Sequence, residues 1–130
     1  MSQVNIIELI NGSRYKTLEV FITGDSNGDL VDEVLSDPVD DNETNVKYVI
    51  ENLIYSVQGF SAVLEFDYLA SDSPKVVMPE NQNNTVDYRP HGGLADRSGV
   101  DGTGKLLITT KGLTTDGFGS LVISLRKKYS

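Results

Sequence analysis

The sequence predicts an all-β fold, an antiparallel β-sandwich of jelly-roll-like form, with about 7–9 strands and one long irregular loop over residues 71–104. Three observations lead there. Apolar residues recur mainly at every second position, the period that puts one face of a strand in a core. The alternating stretches are separated by Gly, Asn, Asp and Pro clusters that favour turns. No stretch combines a 3.6-residue apolar period with a helix start signal. At 130 residues and 14.2 kDa the chain suits one hydrophobic core, so residues 1–130 are expected to form a single sandwich domain.

Val4, Ile6 and Ile10 begin the pattern, and Asn11-Gly12 is read as a tight turn because both residue types tolerate positive φ. Leu18, Val20 and Ile22 then share a face, which completes a first hairpin. Thr23–Asp29 is a turn cluster. Leu30, Val31, Val34 and Leu35 follow as a strand that closes at Asp37-Pro38, and 36–44 reads as a solvated loop. Val46–Val57 is strongly β-like, Gln58-Gly59 makes a turn, and Phe60, Ala62, Leu64, Phe66 and Tyr68 alternate with Ser61, Val63, Glu65 and Asp67. These two stretches read as a long hairpin at the centre of the fold. Ser71–Gly104 is poor in apolar residues, with Val76–Met78 and Thr85–Tyr88 as short strands inside it. Lys105–Thr110 and Ser120–Lys127 read as two closing strands.

Charge and composition remove whole classes of function. Nineteen acids against eleven bases leave a net charge of −8 and a pI near 4.4. Nucleic-acid binding needs clustered positive charge, and an anionic membrane repels such a chain, so neither is an expected partner. There is no Cys, which excludes disulfides, thiol nucleophiles and zinc–thiolate sites. No basic segment followed by an apolar run opens the sequence, and synthesis in the cytoplasm is expected.

The chemical motifs do not complete themselves. Gly99–Leu106 matches the first seven positions of a phosphate-cradling loop, but Leu106 stands where a hydroxyl must hold Mg²⁺, and a strand-like segment follows instead of a helix. Asp25, Asn27 and Asp29 resemble the opening of an EF-hand loop, yet Leu30 and Ser36 occupy its required Gly and Glu positions. A looser Ca²⁺ site helped by Asp32, Asp40, Asp41 or Glu43 stays open. His91 has no nucleophile elbow to serve. Glu65 and Asp67 share a strand face at a spacing that does not forbid a glycosidase pair, but paired carboxylates of this kind are common on solvated faces. Tyr48, Tyr55, Tyr68 and Tyr88 are read mainly as packing residues, with a sugar platform as the alternative. No catalytic, cofactor-binding or metal-ligating residue is nominated, and no enzyme activity is expected.

Several stretches together resemble small virion structural proteins of tailed bacteriophages. They are Gly24–Leu30, Val34–Pro38, Tyr55–Ala62, Arg89–Leu94, Gly102–Thr110 and Ser124–Lys127, spread over the chain from about Phe21 onward. The resemblance implies a non-enzymatic component of the virion. The first placement is a cement or decoration protein, often trimeric, that stabilises the head by packing on major capsid protein. The second is a head–tail or tail component, connector-associated or tail-tube-like. A carbohydrate-binding or adhesion module is the reading outside this class. Expected partners are the major capsid protein or other virion subunits and further copies of the chain, with Tyr88, Arg89, His91 and Leu94 as candidate interface residues.

Overall fold

The computed structural model describes residues 3–37, 46–68, 75–95 and 102–129. They form ten strands: β1 (Val4–Asn11), β2 (Tyr15–Thr23), β3 (Glu33–Ser36), β4 (Val46–Gln58), β5 (Ser61–Tyr68), β6 (Lys75–Met78), β7 (Gln82–Asp87), β8 (Leu94–Ala95), β9 (Gly102–Lys111) and β10 (Phe118–Tyr129). A 3₁₀ turn, Arg89–His91, lies between β7 and β8. No described helix is long and apolar enough to cross a membrane.

The strands make two antiparallel sheets. One runs β1-β2-β10-β4-β7, with β8 also on β4, and the other runs β3-β9-β5-β6. With β1 and β8 set aside, the orders β2-β10-β4-β7 and β3-β9-β5-β6 are the two halves of a double-sheet jelly roll. The protein is thus an all-β antiparallel sandwich. Its core is one cluster fed from both sheets: Leu18, Val20 and Ile22 from β2, Leu53 and Val57 from β4, and Leu121 and Ile123 from β10 on one side. Ala62, Leu64 and Phe66 from β5 and Leu106 and Ile108 from β9 face them.

Three local expectations give way to the tertiary arrangement. The expected hairpin of Val46–Val57 with Phe60–Tyr68 does not form: β4 pairs β10, β7 and β8, while β5 pairs β9 and β6. The connection between them is a corner from one sheet to the other. Its residue Phe60 is buried at 1% exposure, where a hairpin turn would present it to water. Gly59, at φ 83°, donates its backbone N–H to Asn81 Oδ1 across the β6–β7 turn, which ties the corner down. The closing strands β9 and β10 also lie in different sheets.

The first hairpin exists, but its turn is not Asn11-Gly12. Asn11 pairs with Lys16, Gly12 donates to the carbonyl of Tyr15, and Ser13-Arg14 is the turn. Within the expected irregular stretch 71–104, the described residues 75–95 are mostly regular. β6 pairs β5, and β7 and β8 pair β4. Val76 and Met78 supply the expected alternation. β7 is nearly all polar, because it is an edge strand whose exposed side chains face water.

Candidate interaction surface

The acidic loop between β2 and β3 is held by its own side chains. Asp29 accepts bonds from Thr110 Oγ1 (3.1 Å) and the backbone N–H of Leu113 (2.7 Å). The Leu113 bond is the largest reason its carboxyl lies below the ordinary carboxylate value, with Gly112, Thr110 and the charge of Lys111 adding to it. Thr110 Oγ1 in turn accepts from the N–H of Leu30. Asp29 therefore pins the entry to β3 against the β9–β10 loop. Asp25 caps its own turn by accepting the N–H of Asn27. Among the described residues no group of three or more His, Asp or Glu side chains is placed to hold a metal. Asp40, Asp41 and Glu43 lie outside the described residues. Residues 96–101 do too, while Gly102–Lys111 is a strand, so the phosphate-loop pattern lacks the helix it would need.

The four candidate interface residues sit on the far edge of the larger sheet and divide into two kinds. Tyr88 and Leu94 are partly buried and pack on the core, and Leu94 pairs with Ile50. Burial, with the neighbouring Tyr55, raises the Tyr88 phenol above its ordinary value. Arg89 and His91 are exposed. Arg89 is committed to Asp87 through two side-chain bonds of 2.9 Å each, and this pairing depresses the Asp87 carboxyl. Gly93 lets this segment press onto β4: it has φ 87°, and a Cβ there would collide with the side chain of Val49.

The tyrosine platform is not built. Tyr48 and Tyr55 are buried, and Tyr48 accepts a 3.0 Å bond from Ser36 Oγ inside the sandwich. The side chain of Tyr68 lies outside the described residues. Glu65 pairs with Lys75 at 3.5 Å rather than forming a carboxylate pair with a cleft.

A different surface emerges on the outer face of the larger sheet, on the side of β2, β10 and β4 turned away from the core. The strand register sets its rows. Phe21 lies beside Ser120 and Ser56, and Glu19 beside Val122 and Ile54. Phe118 stands at the end of the sheet beside Gln58. Ile54 and Phe118 are each 50% exposed. In these rows Glu19 is the single charge, although the whole chain carries a net −8. A shallow depression of about 570 Å³ runs over this face along Ile54, Ser56, Asn83, Thr85 and Val122. Weakly charged and studded with apolar side chains, the face has the composition of a protein-docking surface.

β1 extends this face at its near edge. Ile6, Ile7, Leu9 and Ile10 are all exposed, Ile10 by 55%. The period-two pattern of the sequence includes Ile6 and Ile10 but not Ile7 and Leu9. The signal was present: apolar side chains at both parities in one strand require burial on both sides or a partner, and among the described strands β1 pairs with β2 alone.

No family model matches the chain, and no curated protein matches it. Among solved structures, a cupin superfamily protein from Desulfitobacterium hafniense DCB-2 is 14% identical with a TM-score of 0.34, over 95% of this chain and 77% of that one. A cupin domain from Bordetella pertussis Tohama I is 11% identical with a TM-score of 0.35, over 98% of each chain. The iron(II) form of HppE is 10% identical with a TM-score of 0.34, and 95% of this chain spans 50% of it. No activity, metal or substrate passes from these proteins to this chain.

Proposed function

We propose that this protein is a non-enzymatic structural subunit of a tailed-phage particle, a capsid cement or decoration protein that packs on major capsid protein. The observation that supports the docking role is the outer face of β2, β10 and β4, where exposed Ile54 and Phe118 and half-buried Phe21 and Val122 surround one charge in a chain of net −8. The stretches that resemble virion proteins support major capsid protein as the partner. The mechanism is burial of this face against a capsid subunit, and a specific interface needs about 1,200–2,000 Å² in total. Arg89 and His91 stand at the opposite edge and would form the polar rim.

The test is titration of purified capsids with the protein. Saturable binding at a fixed copy number per lattice site is expected, and Ile54→Asp and Val122→Asp each abolish it while the fold survives. Binding to glycans without capsid affinity would overturn the reading. Density in the neck or tail of the particle's electron-microscopy map would move the same subunit to a head–tail or tail position.

A further inference from the structure

We propose that a depression at the basic end of the larger sheet's outer face is a carboxylate anchor, in which Arg14, Tyr15 and Arg126 take an acidic side chain of the protein that docks on that face. The partner rests on the docking reading above, while the carboxylate chemistry rests on the residues of the depression itself.

The outward stripe of β10 changes character along its length. Phe118, Ser120, Val122, Ser124, Arg126 and Lys128 alternate with the core residues Leu121, Ile123 and Leu125. The first four positions are apolar or neutral, and the last two are cationic. Register sets Tyr15 directly beside Arg126. A depression of about 370 Å³ opens there, lined by Ser13, Arg14, Tyr15, Arg126 and Lys127. Each of these five side chains carries a hydrogen-bond donor and three are cations, in a chain of net −8. At physiological salt, charges are screened over about 8 Å, so an arriving carboxylate meets these cations rather than the charge of the whole chain.

The donors are held in place before a ligand arrives. Lys127 donates its backbone N–H to the carbonyl of Arg14 at 2.7 Å and its ammonium to Asn11 Oδ1 at 2.8 Å, which fixes both flanks of the Ser13-Arg14 turn. Arg126 is anchored toward the far edge: Nη2 donates to the carbonyl of Gly92 at 3.3 Å, and Nε lies 3.5 Å from Glu51 Oε2. Among the described residues Glu51 is the one carboxylate paired with Arg126, and none pairs with Arg14. Tyr15 is 50% exposed and shares a face with Arg126 as its cross-strand neighbour. Its phenol adds a third donor, and its ring offers a wall to the methylenes of an acidic side chain. Guanidinium groups bind a carboxylate through paired N–H bonds. The depression lies open on the sheet and continues the apolar rows, so it suits an acid presented by a docking protein. Val122 is four residues from Arg126, which places the partner's acid about 14 Å along the strand from the apolar group that meets Val122.

The experiment has two arms. In the first, the isotope-labelled full chain is titrated with the capped dipeptide acetyl-Glu-Glu-amide, with acetyl-Gln-Gln-amide, and with inorganic phosphate. Amide shifts at Arg14, Tyr15 and Arg126 that saturate at millimolar Glu peptide are expected, with no such response to the Gln peptide. They should vanish in Arg14→Glu, whose exposed turn position leaves the fold intact by circular dichroism. No selective shift at these residues, an equal response to the Gln peptide, or a response to phosphate alone would each overturn the carboxylate site. In the second arm, capsid titration compares the parent chain with Arg14→Glu and with Lys111→Glu, an exposed charge reversal on the other sheet. Arg14→Glu should weaken binding about tenfold at low salt and less at high salt, while Lys111→Glu should bind as the parent does. Equal affinity of parent and Arg14→Glu would overturn the assignment of the acid to the docking partner. A parent chain that does not bind capsids would overturn the docking reading and that assignment together, and the peptide arm decides the carboxylate site in either case.

Discussion

The larger sheet has two edges built on opposite principles. At the far edge, β7 presents Gln82–Thr85 to water, and the segment after it folds back so that Gly93, Leu94 and Tyr88 press onto β4. That edge is closed by the chain itself. At the near edge, β1 carries Ile6, Ile7, Leu9 and Ile10, all exposed among the described residues. Both edges hang on the same central pair, β10 with β4. The difference teaches that exposed apolar surface is not spread evenly here. Along this sheet, β1 carries four large exposed apolar side chains and β7 carries none.

The comparison breaks most completely at its shared centre. Leu53 on β4 is fully buried and pairs with Ile123 and Val86 on its two sides. Leu53→Ala should cost about 2–5 kcal/mol by loss of burial and the cavity left behind. Urea denaturation would show it, with both edges lost in one transition.

Next in size is the closed edge. Gly93→Ala places a methyl against Val49 in a backbone region that L side chains rarely adopt. A loss of about 1–3 kcal/mol is expected from overpacking, measured the same way. Hydrogen exchange should show β8 opening first while β1 is unchanged.

Acid titration probes a contact that belongs to neither edge. The Asp29 carboxyl is held below its ordinary value of 3.8 by the Leu113 N–H and its neighbours. A depressed carboxylate contributes stability that is full above the unfolded value and fades as pH falls through the folded one. Melting temperature should therefore decline below about pH 4, and Asp29→Asn should flatten that decline relative to the parent chain. An unchanged acid limb would remove Asp29 as its cause.

The smallest effect sharpens the contrast at the open edge. Ile10→Ser alters a side chain that is 55% exposed, so folding stability should shift by less than about 0.5 kcal/mol. A large loss would mean that β1 is already covered by the rest of the chain.

Most strands were legible as strands. Leu18–Ile22, Ala62–Phe66 and Leu121–Leu125 alternate, and each buries the residues that alternation assigns. The polar β7 was partly anticipated by Thr85–Tyr88 but has no apolar period, because an edge facing water needs none. The outer face was not legible in the same way. Tyr88 and Leu94 were placed in one loop and do lie together, yet they are half-closed onto the core, and the outer face went unread. Its members, Phe21, Ile54 and Val122, alternate with core residues, so nothing local distinguishes a polar-spaced solvent face from a docking one.

Period two is a property of a single strand, since successive side chains point to opposite faces whatever lies beside them. The amino-acid sequence therefore determined by itself that this chain is pleated, which residues share a face, and that its charge is strongly negative. It could not determine who stands next to whom. That β4 turns a corner at Phe60 instead of closing a hairpin, that β10 lies between β2 and β4, and that β1 is left at an open edge were decided only by the tertiary structure. Those choices depend on how two sheets bury a common core, a contest among distant strands in which no single segment holds the deciding energy.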